Sequence, residues 1–222
     1  KNIGYHHTIM FDNQYSIKRD LPGNCNPDYI LTSGDNSRDI LEKSKAIKRS
    51  KVITLGSSRF GSFPNNNRGS IKNTCLVLPE GFETESMTLF NFSLKCALEN
   101  PNITFIWRLH PSIIFEDIKK NVCEKLPNNI VLSSGSFLDD ISNSDFALYR
   151  SSTAIITAFS SESVIPIYLD LGENMSVDPL KDILIRHAIS TQVQFKDIIK
   201  KRDTLMSKIK TNKYAKKYCN YH

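Results

Sequence analysis

Short apolar runs rich in β-branched residues alternate along this chain with longer stretches of helical periodicity. Strands that alternate with helices in this way are typical of βαβ units and a parallel sheet. The run Cys75–Leu78 is apolar on both faces, as a sheet covered by helices on both sides requires. We therefore predict an α/β fold, a Rossmann-like parallel sheet with helices on both faces. The predicted strands are Ile3–Met10, Tyr29–Ser33, Lys51–Gly56, Thr74–Leu78, Thr104–Leu109, Asn129–Leu132, Phe146–Tyr149, Pro166–Leu169 and Ala188–Ser190, and the predicted helices are Ser37–Lys48, Glu83–Glu99, Phe115–Lys125, Phe137–Asn143, Ser152–Ser160 and Val193–Lys210.

Composition favours one globular domain with an appended fragment. The chain has 222 residues, of which 40% are hydrophobic and 23% charged. No apolar run approaches the ~20 residues of a membrane span. Five cysteines without a CxxC pair argue against a disulfide framework or a zinc site and for a reducing, cytoplasmic compartment. The chain opens without a methionine, almost directly on an apolar stretch, so we expect a piece of a longer protein.

The positive charge is concentrated at one end of the chain. Residues 196–222 hold nine Lys or Arg against two Asp or Glu, whereas residues 1–195 hold 20 against 21. No basic stripe with interleaved aromatic residues runs through the body of the chain, so we expect no nucleic acid as a partner. The helix predicted over Val193–Lys210 has one apolar face. Its basic residues then form either a solvated surface or a peripheral contact with an anionic inner membrane.

A His-Pro pair follows one predicted strand directly. In an open α/β sheet, ligands bind beyond the carboxyl ends of the strands. Because Pro111 ends the strand and holds the preceding residue extended, His110 is presented at that edge with little freedom. Its imidazole suits donation to a phosphate oxygen or protonation of a leaving phosphate. Arg108, two residues earlier, is a further candidate for the phosphate, and the alternative for the whole segment is a turn with a solvated histidine.

Three hydroxyl residues stand between the predicted strand Phe146–Tyr149 and the following helix. We expect Ser151 or Ser152 to cap that helix, whose free N–H groups favour an anion, and Thr153 to add a hydroxyl. A cap of this kind is commonplace by itself. It follows one βαβ unit after His110, however, so we expect both junctions to line one crevice.

These features together resemble a known family. His110-Pro111, then Ser151-Ser152 about 40 residues later, then a strand containing Pro166, look like the donor-binding domain of certain bacterial GT-B glycosyltransferases. These are the sialyltransferases and Kdo transferases, which use CMP-activated sugars, and the CDP-glycerol polymerases carry similar marks. The resemblance covers residues 1–195. It implies that His110, Ser151 and Ser152 hold the donor phosphate in one half of a GT-B architecture.

The resemblance also implies a division of the chain. Residues 1–50 are expected as an interdomain segment joining the sheet, 51–195 as the nucleotide-sugar-binding domain, and 196–222 as a basic helix and tail. His7 is expected to face the interdomain cleft. Arg59 is a candidate contact to a diphosphate or carboxylate, or a simple loop residue. The segment with Glu80, Gly81 and Glu83 is a candidate contact to the sugar, ribose or phosphate, or an ordinary acidic helix start.

The acidic motif that supplies the general base in the sialyl- and Kdo-type enzymes is missing from this chain. The adjacent acidic pair Asp139-Asp140 is followed by Ile141, not Gly, on a predicted helix, and we interpret it as a solvated face. The defining motifs of dinucleotide, P-loop, zincin and α/β-hydrolase sites are also absent.

We therefore expect the donor domain of a glycosyltransferase of surface polysaccharide, capsule or lipopolysaccharide. It would transfer a sugar from a nucleotide-activated donor, CMP-linked sialic acid or Kdo above all, to a glycan or lipid-linked acceptor. No metal or cofactor is required, because hydrogen-bond donors stabilise the leaving phosphate. The alternatives are a CDP-glycerol or ribitol phosphotransferase, a UDP-sugar transferase or epimerase, and a non-catalytic Rossmann-like interaction module.

Overall fold

The chain forms two compact units, one that runs to Ser62 and one from Phe63 to Asn212. Each unit contains its own parallel sheet. Within the residues described, no helix has the length and apolar character needed to cross a membrane. The computed structural model describes residues 1–11, 16–22, 25–44, 47–57, 71–122, 125–174 and 176–209.

The first unit is a small parallel sheet with one helix. Its strands β1 (Ile3–His6), β2 (Tyr29–Thr32) and β3 (Lys51–Thr54) lie in that order, with a 3-10 turn (Ser16–Lys18) and α1 (Asp35–Ser44) between them. Met10, Ile30 and Leu41 form its buried cluster. The first strand is shorter than predicted because its register ends with His6 opposite Thr32, the last residue of β2.

The division between the units differs from the expected one. We expected residue 51 to begin the nucleotide-binding domain, but β3 pairs in parallel with β2, from Lys51 opposite Tyr29 to Thr54 opposite Thr32. The second sheet begins only at Thr74. A run of β-branched residues carries no information about which sheet it joins, and here strand pairing sets the boundary.

The second unit is a doubly wound α/β domain. Its six strands are all parallel and lie in the order β6-β5-β4-β7-β8-β9, so the chain winds outwards from β4 in one direction and from β7 in the other. This strand order is that of the Rossmann fold, which confirms the predicted fold class. In chain order the elements are β4 (Thr74–Leu78), α2 (Glu83–Glu99), β5 (Thr104–Trp107), α3 (Phe115–Val122), β6 (Ile130–Leu132), α4 (Phe137–Ser142), β7 (Phe146–Tyr149), α5 (Ala154–Ser160), β8 (Ile165–Leu169), β9 (His187–Ile189), α6 (Gln192–Lys200) and α7 (Arg202–Ile209).

The core of this unit lies on both faces of the central strands. Every residue of β4, β7 and β8 is buried, as their continuous apolar runs predict. Trp107 packs on Phe90 of α2 with ring centroids 4.4 Å apart, and Phe105 packs on Phe195 of α6 at 5.6 Å. Each such buried aromatic contributes about 1.5–3 kcal/mol of hydrophobic stabilisation. Packing of α6 on the core therefore docks the C-terminal helices onto the domain.

Two helices replace the single helix predicted over Val193–Lys210. The first ends at Lys200, and Lys201 adopts a non-helical cap conformation. The second begins at Arg202, whose Nη2 lies 2.6 Å from Oδ1 of the buried Asp145. Asp145 also accepts hydrogen bonds from the backbone N–H groups of Lys72 and Asn73, so one carboxylate ties the start of β7 to β4 and α7. The spacing of the apolar residues does not predict this break at Lys201.

Candidate functional site

The candidate site lies at the carboxyl edge of the second sheet, where the strand order reverses. In doubly wound sheets this switch point, here between β4 and β7, is where ligands bind. Because neighbouring strands lie ~4.8 Å apart, β5 and β7, one on each side of β4, are about 10 Å apart. The segments 79–82, 108–112 and 150–153 follow these three strands and therefore share one edge of the sheet.

Gly81 and His110 are in contact across this edge. A Cβ atom placed on Gly81 would lie 3.0 Å from Cε1 and 3.1 Å from Nδ1 of His110, and 3.2 Å from Oγ of Ser112. These distances are tighter than nine in ten real Cβ contacts, so any side chain at residue 81 would force the His110 ring and Ser112 to shift by a few tenths of an ångström. The structure thus brings together two of the residues that the sequence singled out.

Ser112 links the His110 ring to the Gly81 backbone. Its Oγ lies 2.8 Å from His110 Nδ1 and donates to the Gly81 carbonyl oxygen at 3.1 Å, while its backbone N–H donates to Nδ1 at 3.2 Å. The imidazole is exposed, and its Nε2 makes no hydrogen bond within the part of the chain that is described. One edge of the ring is therefore held by the turn, and Nε2 remains available to a ligand.

The three hydroxyl residues after β7 occupy different environments. The Ser151 Oγ is buried without a hydrogen-bond partner among the described residues, Ser152 is buried, and Thr153 is exposed. The expectation that Ser151 or Ser152 caps the helix is wrong, because Thr153 is the N-cap of α5 and its side chain makes no capping bond. Since α5 has only seven residues, any anion here would be bound by local hydroxyl and N–H donors rather than by a long helix dipole.

A buried arginine that sequence reasoning missed lies beneath this segment. Arg150 is the first residue after β7, and its side chain is only 4% exposed. Its Nε donates to Glu85 Oε2 of α2 at 2.5 Å, its Nη2 pairs with Glu173, and its Nη1 donates to the Leu169 carbonyl oxygen at 3.3 Å. The guanidinium thus ties α2 and the segment after β8 to β7, and two carboxylates more than neutralise it.

Arg108 points towards α4. Its Nη1 lies 2.6 Å from Asp140 Oδ2 and also donates to Ser133 Oγ and the Gly135 carbonyl oxygen, and the guanidinium lies over the Phe137 ring at 5.3 Å. The expectation that both acidic residues of this helix are solvated is therefore wrong for Asp140, which is only 7% exposed.

Asp139, the other acidic residue of α4, is exposed, as expected. It forms a capping box with Ser136, whose hydroxyl and backbone N–H donate to the Asp139 carboxylate. These hydrogen bonds stabilise the charged form and lower the pKa of Asp139.

The remaining candidates are placed as follows. Glu80 is half-buried, and its carbonyl oxygen accepts from Ser86 Oγ at 2.7 Å. Glu83, the first residue of α2, and Pro111 are exposed at the same edge of the sheet. His7 belongs to the first unit, where it is exposed directly after β1. Arg59 lies outside the described residues.

A cleft of about 500 Å³ opens at the carboxyl ends of β8 and β9, on the same edge of the sheet as His110. It is lined by the segments 170–172 and 188–190 and by Gln194.

Asp178 anchors the long connection between β8 and β9: it accepts from Tyr149 Oη at 2.8 Å and lies 2.7 Å from Arg186 Nε. Burial raises the pKa of both Asp178 and Tyr149, so the phenol stays protonated and donates.

Comparisons with known proteins agree on the fold. The glycotransferase of kitacinnamycin superposes with a TM-score of 0.54 at 10% sequence identity, over 83% of this chain and 49% of that one. The UDP-bound MnaA of S. aureus gives 0.55 at 13% identity, over 94% and 69% of the two chains. TarM gives 0.50 at 13% identity, over 97% and 45%. This chain thus spans about half of the glycotransferase and of TarM.

No protein-family model matches the sequence, and no curated protein matches it. At these low identities the likeness concerns architecture alone. It shows that this chain shares a Rossmann-like α/β architecture with these proteins.

Proposed function

We propose that the second unit binds the nucleotide of an activated sugar, and that the protein transfers this sugar to a surface glycan. The observation that carries the proposal is the contact of Gly81 with His110 at the switch point of a Rossmann sheet, with the unpaired Ser151 hydroxyl two strands away. The fold likeness to a glycotransferase and to a UDP-bound protein supports it.

The chemistry is stabilisation of a leaving phosphate. As the bond between the sugar and the phosphate oxygen breaks, the phosphate takes up negative charge, and the acceptor hydroxyl bonds to the sugar and releases its proton to a base. Nε2 of His110 and the hydroxyls of Ser151, Ser152 and Thr153 are the donors we assign to the phosphate. Donors fixed in advance where charge develops stabilise a transition state without reorganisation. In this proposal they take the place of a metal ion.

The two arginines at this edge of the sheet, Arg108 and Arg150, are not assigned to the phosphate. Asp140 neutralises Arg108, and Glu85 with Glu173 neutralise Arg150. We therefore assign them to holding the loops in place. Glu80, Gly81 and Glu83 follow β4, the strand between those that precede His110 and Ser151, and we assign them to the sugar or ribose.

The base of the nucleotide has two candidates. The His-Pro and Ser-Ser motifs resemble those of families that use cytidine donors, which favours CMP or CDP. The likeness to MnaA, whose structure holds UDP, favours a UDP-sugar transferase or epimerase instead. A pyrimidine is common to both.

Isothermal titration calorimetry of the full chain with CMP, CDP, UDP and GDP tests this proposal. We expect a cytidine nucleotide to bind most tightly and GDP most weakly. Tighter binding of UDP selects the uridine alternative, and binding of none of the four selects the non-catalytic interaction module.

Replacement of His110 by Ala removes a hydrogen bond to a charged group, so we expect a loss of about 10-fold or more in nucleotide affinity. Ser207→Ala, on the exposed surface of α7, is the matched control and should change nothing.

We further propose that the basic C-terminal helices contact anionic lipid near a lipid-linked acceptor. Lys196, Lys200 and Lys208 are exposed on α6 and α7, and Lys201 is exposed between these helices. Because each Lys near such a surface contributes about 1 kcal/mol at most, changing these four to Gln should weaken vesicle binding at least tenfold at low salt. Co-sedimentation with anionic and neutral vesicles measures this, with Lys95, Lys119, Lys120 and Lys125 to Gln as the control. Equal vesicle binding by both variants would mean that the lysines of the C-terminal helices form only a solvated surface.

A further inference from the structure

We infer that Ser112 is a positioning residue: its hydroxyl, which bridges the Gly81 carbonyl and His110 Nδ1, fixes the imidazole so that Nε2 donates to the donor phosphate. The inference rests on the proposed role of His110. It adds a residue that neither the sequence motifs nor the comparisons single out.

A backbone N–H and a hydroxyl of Ser112 both lie within hydrogen-bond distance of one nitrogen of the ring. The Ser112 backbone N–H, 3.2 Å from Nδ1, can only donate, and the Ser112 hydroxyl is closer, at 2.8 Å. Nδ1 of the neutral ring must therefore accept. A neutral imidazole that accepts at Nδ1 carries its hydrogen on Nε2. The nitrogen left without a partner in the described structure is then a donor, as an anionic ligand requires.

The hydroxyl holds the ring in either protonation state. One hydroxyl hydrogen can be donated to His110 Nδ1 or to the Gly81 carbonyl oxygen, but not to both at once. If the ring is protonated, Nδ1–H donates to Ser112 Oγ and the hydroxyl donates to the Gly81 carbonyl oxygen 3.1 Å away. In the protonated state Nδ1 no longer accepts from the Ser112 backbone N–H, so the hydroxyl alone holds this edge of the ring.

Gly81 supplies the opposite support. A Cβ at this position would press on Cε1 and Nδ1 of His110, and on Oγ of Ser112. The Gly81 backbone and the Ser112 turn thus contact the Nδ1 and Cε1 edge of the exposed ring, and Nε2 lies on the part of the ring that they leave open. His110, Ser112 and Gly81 come from two loops that follow neighbouring strands, so the bridge also fixes the distance between these loops.

The test compares Ser112→Ala, Ser112→Thr and the matched control Ser207→Ala in the full chain. NMR of the imidazole nitrogens at about pH 8, where a free histidine is neutral, gives the His110 tautomer. Calorimetry with the tightest-binding nucleotide gives the affinity. We expect Ser112→Ala to raise the population of the Nδ1–H tautomer and weaken binding about 3- to 10-fold, since one hydrogen bond is lost. Ser112→Thr retains the hydroxyl, so its His110 tautomer and its nucleotide affinity should both resemble those of the wild type. Ser207→Ala should change neither quantity.

Gly81→Ala is a second variant, whose Cβ would press on the His110 ring and on Ser112 Oγ while the Ser112 hydroxyl itself is retained. It should weaken nucleotide binding similarly with an unchanged melting temperature, and it replaces Ser112→Ala if that variant fails to fold. An unchanged tautomer in Ser112→Ala, or a changed tautomer with unchanged affinity, overturns the inference. If the wild-type chain binds no nucleotide, the proposed function fails, and the role of Ser112 towards a phosphate fails with it. An unchanged tautomer in a chain that binds nucleotide refutes the positioning role alone.

Discussion

At the scale of residues, the arginines of the candidate site already have ion-pair partners, whereas two of its hydrogen-bonding groups do not. The guanidinium groups of Arg108 and Arg150 are both neutralised by carboxylates of neighbouring elements. Within the described residues, the Ser151 hydroxyl and His110 Nε2 lack partners. A buried hydroxyl without a partner is uncommon in native proteins, because it loses its water without a replacement. Binding of a phosphate would give Ser151 that partner.

Ser151→Ala separates a binding role from a structural one. Removal of an unpaired buried hydroxyl should leave the free energy of unfolding unchanged or raise it by about 1 kcal/mol. The same change should weaken nucleotide binding about 10-fold or more, because it removes a hydrogen bond to a charged group. Urea denaturation and calorimetry measure the two quantities. A loss of stability with full retention of affinity would show that Ser151 serves the fold instead.

At the scale of elements, the buried carboxylate of Asp145 joins three pieces of the second unit. It accepts from two backbone N–H groups at the start of β4 and pairs with Arg202 at the start of α7. Arg202 pairs also with Asp203, whose side chain is 81% exposed, whereas that of Asp145 is 2% exposed. One arginine therefore offers a buried and an exposed ion pair for comparison.

Asp145→Asn and Asp203→Asn test this difference. Breaking a buried pair typically costs 3–5 kcal/mol, and since Arg202 remains 16% exposed we expect about 2–3 kcal/mol for Asp145→Asn. We expect less than about 1 kcal/mol for Asp203→Asn, because water screens an exposed pair. Chemical denaturation measures both values. Equal losses would mean that burial of Asp145 does not strengthen its contact with α7.

The sequence predicts elements well and their junctions less well. The bounds of β4, α2 and β7 agree with the prediction because their apolar runs end at clear boundaries. The break at Lys201 is followed by Arg202, which pairs with the distant Asp145, and periodicity does not record such a contact. For the same reason the sequence pointed to His110 but not to Ser112 or Arg150, whose contacts with Gly81 and Glu85 span 31 and 65 residues of the chain.

At the scale of the whole molecule, each unit contains a histidine that favours its neutral form. Burial lowers the pKa of His187 in the second unit, and Lys208 and Lys201 lower it further. Burial likewise lowers the pKa of His6 in the first unit, with a smaller effect from His7. In the unfolded chain both have pKa values near 6.5. The unfolded state therefore binds more protons than the folded state as the pH falls below about 6.5.

This difference gives stability a definite pH dependence. The contribution of the two histidines is fully present above about pH 6.5 and is lost as the pH falls towards their lower folded pKa values, so the free energy of unfolding should decrease between about pH 7 and 5. His187→Gln should flatten that decrease for the second unit. Urea denaturation at several pH values measures the effect. Stability that rises on acidification, or an identical slope in the variant, would contradict this account.

The most direct test of the central claim is hydrogen–deuterium exchange of the full chain with and without the tightest-binding nucleotide. Three loops of one switch point are proposed to contact a single ligand, so protection should appear together in residues 79–83, 108–112 and 150–153. Exchange in α7, which is joined through Arg202 to Asp145 at the start of β7 and so to the opposite edge of the sheet, should stay the same. Protection confined to other segments, with none in these three loops, would contradict the assignment of the donor site.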